Sequence, residues 1–187
     1  MNLPNILTLT RIVLIPVFVL FFYLPVGWSH VATASIFALA GATDWLDGWV
    51  ARRFNLTTAL GAFLDPVADK LMVAVALILL VEEHHSLWLS IPALVIVSRE
   101  ITISALREWM AELGNRTKVA VSWLGKFKTT AQMLAILLLL ANPADPDRWL
   151  VKFGYLLLYV AVGLTLWSMV EYLRAAWPEL SARQNQR

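Results

Sequence analysis

Four aspartates interrupt two long apolar runs, and their spacing carries the first chemical signal. Asp44 and Asp47 are three residues apart, and Asp65 and Asp69 are four apart. On a helix, each pair shares one face. A carboxylate inside an apolar span costs a few kcal/mol, so each needs a reason to be there. Two facing helices would present all four to one pocket, where mutual repulsion raises some pKa values or draws in cations. Carboxylate oxygens suit Mg²⁺, Mn²⁺ or Ca²⁺. Four of them can hold a pair of ions, an arrangement used in phosphoryl transfer. Gly48 lies one turn beyond Asp44, Gly61 one turn before Asp65, and Ala51 two turns from Asp44. Small residues there leave room for a ligand to reach the backbone, and they equally permit close helix packing. Pro66 removes the donor for the Ala62 carbonyl and predicts a local kink.

A second set of residues is cationic. Arg99 and Arg107 are eight apart and fall roughly on one helical face. Arg99 lies well inside an apolar stretch and needs an anionic partner. Glu100 or Glu108 would serve, and so would the phosphate of a bound acceptor, since the guanidinium fork matches phosphate oxygens. Lys126 and Lys128 open another apolar run, either as acceptor ligands or as ordinary flanking charges. Arg11 reads as a ligand for an anionic group or as an interfacial arginine reaching outward. His84 and His85 are a weak metal signal, and the nine tryptophans fit interfacial belts.

The elements that position these residues follow from composition. Of 187 residues, 59% are hydrophobic and 15% charged, and the mean hydropathy is +0.68. Soluble domains carry about 25% charged residues, so the excess apolar surface calls for lipid. The length fits one domain spanning residues 1–187. Six runs approach the ~20 residues that cross a bilayer as a helix: Leu7–Leu24, Val31–Arg52, Leu60–Val81, Leu87–Leu113, Leu124–Ala141 and Trp149–Arg174. The expected fold is therefore all-α and integral to a membrane, with about six transmembrane helices. Ala32-Thr33-Ala34 resembles a signal cleavage site, yet it opens the next apolar run rather than lying in a polar break, so the first run reads as a span.

Lys and Arg set the orientation. Arg52, Arg53, Arg116, Lys118, Lys126, Lys128, Arg174, Arg183 and Arg187 fall in one set of breaks. The other set holds only Arg148 and Lys152, beside several acids. The positive-inside rule places the first set and both termini in the cytoplasm. Asp44 then lies about 12 Å along the helix from Arg52, at ~1.5 Å per residue, just below the cytoplasmic headgroups. The net charge of +2 is too mild to argue for nucleic acid, and there is no cysteine for disulfides or thiolate metal sites.

The segment Asp44-Trp-Leu-Asp47-Gly48-Trp-Val-Ala51-Arg52, eight further residues, then Gly61-Ala-Phe-Leu-Asp65-Pro-Val-Ala-Asp69 resembles the signature of the CDP-alcohol phosphatidyltransferase family at every fixed position. Stretches from Asn2 to Arg11, from Asp65 to Lys70, from Arg99 to Glu108 and from Gly125 to Thr129 are most similar to its bacterial branch that forms phosphatidylglycerol phosphate. That branch converts CDP-diacylglycerol and glycerol 3-phosphate into phosphatidylglycerol phosphate and CMP. The resemblance implies that Asp44, Asp47, Asp65 and Asp69 bind divalent metal, Mg²⁺ or Mn²⁺, two ions per site, and that Asp69 is also the catalytic base. It implies that Asn5, Thr8, Arg11, Gly48, Ala51, Arg52, Thr58 and Gly61 line the CDP-lipid site. Arg99, Arg107, Lys126 and Lys128 become the expected acceptor phosphate ligands. A homodimer in the bacterial cytoplasmic (inner) membrane, with its active site on the cytoplasmic side among membrane lipids, is the implied assembly.

Three rival readings make different demands. A divalent-metal transporter also places acids inside spans, but it would be expected to show internal repeats and a midplane site; no repeat is present in the sequence, and the acids sit toward one face. The same chemistry with another acceptor, such as inositol phosphate, serine, inositol or phosphatidylglycerol, would use the same donor residues. A membrane scaffold without catalysis leaves the four aspartates without a purpose.

Overall fold

The computed structural model describes residues 3–54, 59–112 and 123–184. Among them are six helices and no strand: α1 (Leu3–Tyr23), α2 (Ser29–Phe54), α3 (Ala59–His84), α4 (Leu87–Glu112), α5 (Trp123–Leu140) and α6 (Trp149–Gln184). Each of the six expected runs became one helix, with ends shifted by a few residues. The exception is α6, which continues ten residues beyond Arg174. α3 runs unbroken through Pro66.

The connections follow from turn chemistry. His85 takes a left-handed conformation, with φ of 44°, and its N–H donates to the Val81 carbonyl at 3.2 Å, closing the last turn of α3. Ser86 then caps α4: its Oγ accepts the Trp88 N–H at 3.3 Å. Two residues thus reverse the chain, which is the part His85 plays. Between α5 and α6, Asp145 accepts the Asp147 N–H on its side chain at 3.0 Å, an Asx turn.

The helices bury side chains against one another and leave apolar faces outward. α1 packs on α2 and α3, α5 on α6, and α4 on α6 and α3, while α2 and α3 also touch α5. Phe18, Phe37, Leu77, Leu80, Leu89, Ile96, Ile136, Leu139 and Leu158 are fully buried. Alanines at 34, 40, 68, 76, 93, 135 and 161 fill the tighter gaps, as expected where close approach replaces a hydrophobic driving force. Gly41 allows α2 to approach α5, since a Cβ there would meet the Met133 methyl at 3.1 Å. Val13, Leu20, Leu39, Ile78, Leu94, Ile101 and Trp167 point outward and are exposed. Apolar surface on this scale belongs in lipid. Leu87–Leu106 and Trp149–Glu171 are long and apolar enough to cross a bilayer by themselves. In α3, the acids and Lys70 at one end and Glu82 and Glu83 at the other break the apolar stretch.

Candidate active site

α1, α2 and α3 meet where the acids are. Arg11 is buried, with only 3% of its side chain exposed, so it does not reach outward to the interface. Its Nη1 donates to Asp44 Oδ1 of α2, and its Nη2 lies 3.5 Å from Asp65 Oδ1 of α3. Thr8, one turn earlier on the same face and fully buried, donates its hydroxyl to the same Asp65 oxygen. One face of α1 therefore gathers carboxylates from two other helices. Asp44 and Asp65 keep 45% and 39% of their side chains exposed, which leaves oxygen surface open to a ligand. Gly61, one turn before Asp65, is buried.

Asp69 links this cluster to a cavity. It lines a narrow cleft with Arg11, Phe37, Ala40, Gly41 and Met133. It also lines a cavity of about 360 Å³ between α3, α4 and α5. The polar walls of that cavity are Asp69, Lys70, Glu100, Lys128, Thr129 and Gln132, and its apolar walls include Leu71, Val73, Ile96 and Val97. Asp69 is itself exposed.

The cationic residues divide. Lys128 is buried on the cavity wall, and its Nζ lies 3.0 Å from Glu100 Oε1. Arg99 does not line that cavity; its Nη1 donates to Glu100 Oε1 at 2.8 Å and its Nη2 to Ser168 Oγ of α6 at 3.0 Å. Glu100, rather than Glu108, is thus the partner of Arg99. Three polar residues given no role from sequence, Lys70, Thr129 and Gln132, also face the cavity. Their signal was available, since each is a polar residue inside an apolar run. The side chains of Asn5, Asp47, Gly48, Ala51, Arg52, Arg107 and Lys126, and the whole of Thr58, lie outside the described residues.

Among the described residues, no three carboxylate or imidazole side chains converge as a ready-made cation cage. The donor set still fits a hard divalent ion. Asp44 and Asp65 are drawn to one guanidinium from different helices, and every donor is a carboxylate oxygen, the ligand Mg²⁺ and Mn²⁺ favour.

Comparison with known proteins decides the family. The model of the CDP-alcohol phosphatidyltransferase family matches residues 1–167. The chain belongs to the CDP-alcohol phosphatidyltransferase family. It is 61% identical over 183 residues to a Pseudomonas fluorescens protein, covering 96% of this chain and 92% of the relative. It is 58% identical over 179 residues to proteins of Escherichia coli K12 and Shigella flexneri, covering 96% of this chain and 97% of each relative. All three relatives bear the name CDP-diacylglycerol–glycerol-3-phosphate 3-phosphatidyltransferase. As a CDP-alcohol phosphatidyltransferase the chain is a membrane-embedded enzyme, of a family that generally depends on divalent metal.

Proposed function

We propose that this enzyme transfers the phosphatidyl group of CDP-diacylglycerol to glycerol 3-phosphate, giving phosphatidylglycerol phosphate and CMP. The observation that carries the reading is the position of Asp69. It stands between the carboxylates gathered by Arg11 and a cavity whose walls carry Lys70 and Lys128. A diphosphate on one side and a phosphorylated alcohol on the other would meet at that carboxylate. The names of the relatives supply the same pair of substrates.

The chemistry follows from these placements. Lys128 and Lys70 hold the acceptor phosphate in the cavity, backed by Arg99, Arg107 and Lys126 on α4 and α5. The free primary hydroxyl at the acceptor's other end then points to Asp69, which accepts its proton. The hydroxyl oxygen attacks the phosphorus bearing the diacylglycerol. A new P–O bond forms there as the anhydride P–O bond breaks, and CMP departs with the electron pair. Asn5, Thr8, Arg11, Gly48, Ala51, Arg52, Thr58 and Gly61 hold the nucleotide and its diphosphate. Asp44, Asp47, Asp65 and Asp69 would hold Mg²⁺ or Mn²⁺, two per site, which when bound supply positive charge to the diphosphate and the leaving CMP. No covalent enzyme intermediate forms on this route.

The bias of Lys and Arg toward one set of breaks supports a bacterial cytoplasmic membrane location with both termini and the site facing the cytoplasm. A homodimer rests on the resemblance to the family. The test is CMP release by purified protein in detergent with CDP-diacylglycerol, Mg²⁺ or Mn²⁺, and each candidate acceptor in turn. Release is expected only with glycerol 3-phosphate, and is lost in Asp69→Asn. Release with inositol phosphate or an unphosphorylated alcohol instead would replace the acceptor, and a trapped phosphatidyl-enzyme would refute direct attack.

A further inference from the structure

Lys128 of the acceptor cavity is anchored on a residue that has no part in the reaction as described above. Glu100 Oε1 accepts from Lys128 Nζ at 3.0 Å and from Arg99 Nη1 at 2.8 Å. Lys70 Nζ donates to Ser104 Oγ, and that hydroxyl donates to the Glu100 backbone carbonyl at 2.6 Å. Arg99 is fixed from its other arm by Ser168 Oγ at 3.0 Å. The Glu100 side chain therefore ties α4 to α5 directly and to α6 through Arg99, while Ser104 of α4 holds Lys70 of α3.

The alternative partner for Lys128 explains why such an anchor matters. A lysine ammonium rides on a flexible four-carbon stem and takes the carboxylate it can reach. The carboxylates on the cavity walls are Glu100 and Asp69. An ammonium paired with Asp69 would compete for the oxygen that must receive the acceptor's proton, and would leave Lys70 alone on the cavity wall to face the acceptor phosphate. Held by Glu100, the same ammonium stays at the α4–α5 wall. Arg99, Glu100 and Lys128 together carry a net charge of +1, which still attracts a phosphate dianion.

We infer that Glu100 is a positioning residue for acceptor specificity: it holds Lys128 toward the acceptor's phosphate and away from Asp69. The inference rests on the proposed reaction, because it takes Lys128 as the acceptor's ligand. Acceptor affinity, more than donor affinity, should depend on the Glu100 charge.

The test compares Glu100→Gln, Glu100→Asp, Lys128→Ala and the Glu100→Gln/Lys128→Ala pair as purified full-length enzymes. CMP release is measured with each substrate varied against saturating amounts of the other. Glu100→Gln raises KM for glycerol 3-phosphate about tenfold, the scale of one charge-assisted contact, while KM for CDP-diacylglycerol stays within about twofold. Glu100→Asp, which keeps the charge one methylene short, gives an intermediate rise near threefold. In the Lys128→Ala background, Glu100→Gln adds little, because the ammonium it positions is gone. An unchanged KM for glycerol 3-phosphate in Glu100→Gln overturns the inference. So does an equal rise in both KM values, which would mark Glu100 as a strut between helices, and so does full additivity in the pair. Should Glu100→Gln fail to fold, Glu100→Asp decides by the same split: unchanged or equally raised KM values overturn the inference. Failure of the proposed reaction itself looks different, since the unsubstituted enzyme would then release no CMP with glycerol 3-phosphate.

Discussion

Replacing Thr8 by valine removes one hydroxyl from the site and changes little else. The two side chains have nearly the same shape, and both are β-branched, so α1 should be undisturbed. Thr8 is fully buried, and its hydroxyl donates to Asp65 Oδ1. Arg11 Nη2 also lies near that oxygen, at 3.5 Å. A hydrogen bond to a charged group contributes about 1.5–3 kcal/mol. Because Asp65 is 39% exposed, water replaces part of the loss, and about 1–2 kcal/mol is the better figure. If Asp65 must be held in one orientation to bind metal, that energy appears in the transition state as roughly a 5–30-fold fall in kcat/KM for CDP-diacylglycerol. Thr8→Ser keeps the hydroxyl and should stay within about threefold of the unsubstituted enzyme. The assay is CMP release at saturating glycerol 3-phosphate with CDP-diacylglycerol varied. Full activity in Thr8→Val would show that the hydroxyl does not orient Asp65. An equal loss in Thr8→Ser and Thr8→Val would show that packing, rather than the hydrogen bond, sets the activity.

Arg11→Lys keeps one positive charge but loses the fork that spans Asp44 and Asp65, so kcat/KM falls at least about tenfold, measured by the same assay. Removing divalent metal with a chelator abolishes CMP release, and Mg²⁺ or Mn²⁺ restores it; activity that survives exhaustive chelation would refute the metal assignment. His85→Gly relieves the left-handed strain at φ 44° and raises thermal stability by roughly 1 kcal/mol, with activity unchanged, as read by thermal unfolding in detergent. Gly41→Leu drives a side chain into Met133 across the α2–α5 contact and lowers stability by about 1–3 kcal/mol in the same unfolding measurement.

The helices were legible because run length and turn residues report on each element separately. α6 escaped at its far end because Pro178 and the polar residues Glu179, Ser181, Arg183 and Gln184 break up the apolar run, so its helical continuation past Arg174 could not be read from hydropathy. The aspartates were legible for the opposite reason, as charges that have no business in an apolar run. Their partners were a different matter. Arg11 stands 33 residues from Asp44 and 54 from Asp65, and spacing along a chain does not say which helices touch. From sequence, Arg11 and Thr8 could be placed near the nucleotide only through the family resemblance; the helix packing adds that they gather the acids themselves. The acceptor set shows the same limit. Arg99 and Lys128 both looked like phosphate ligands, yet a single glutamate binds both, and only Lys128 faces the cavity.

That distribution of cations also separates a transferase from a cation path. A transporter for divalent metal needs its acids free of fixed positive charge along the route, since a neighbouring cation repels the ion it should carry. Here a buried guanidinium sits directly on Asp44 and Asp65, and two lysines share the cavity with Asp69. Such an arrangement disfavours the passage of a bare cation. It suits anions brought to the acids together with metal: a diphosphate on the Arg11 side and a phosphorylated alcohol on the Lys128 side. Metal held by the carboxylates would then supply positive charge to the same substrate groups that the fixed cations attract. The cations that would obstruct transport are the ones that phosphoryl transfer requires.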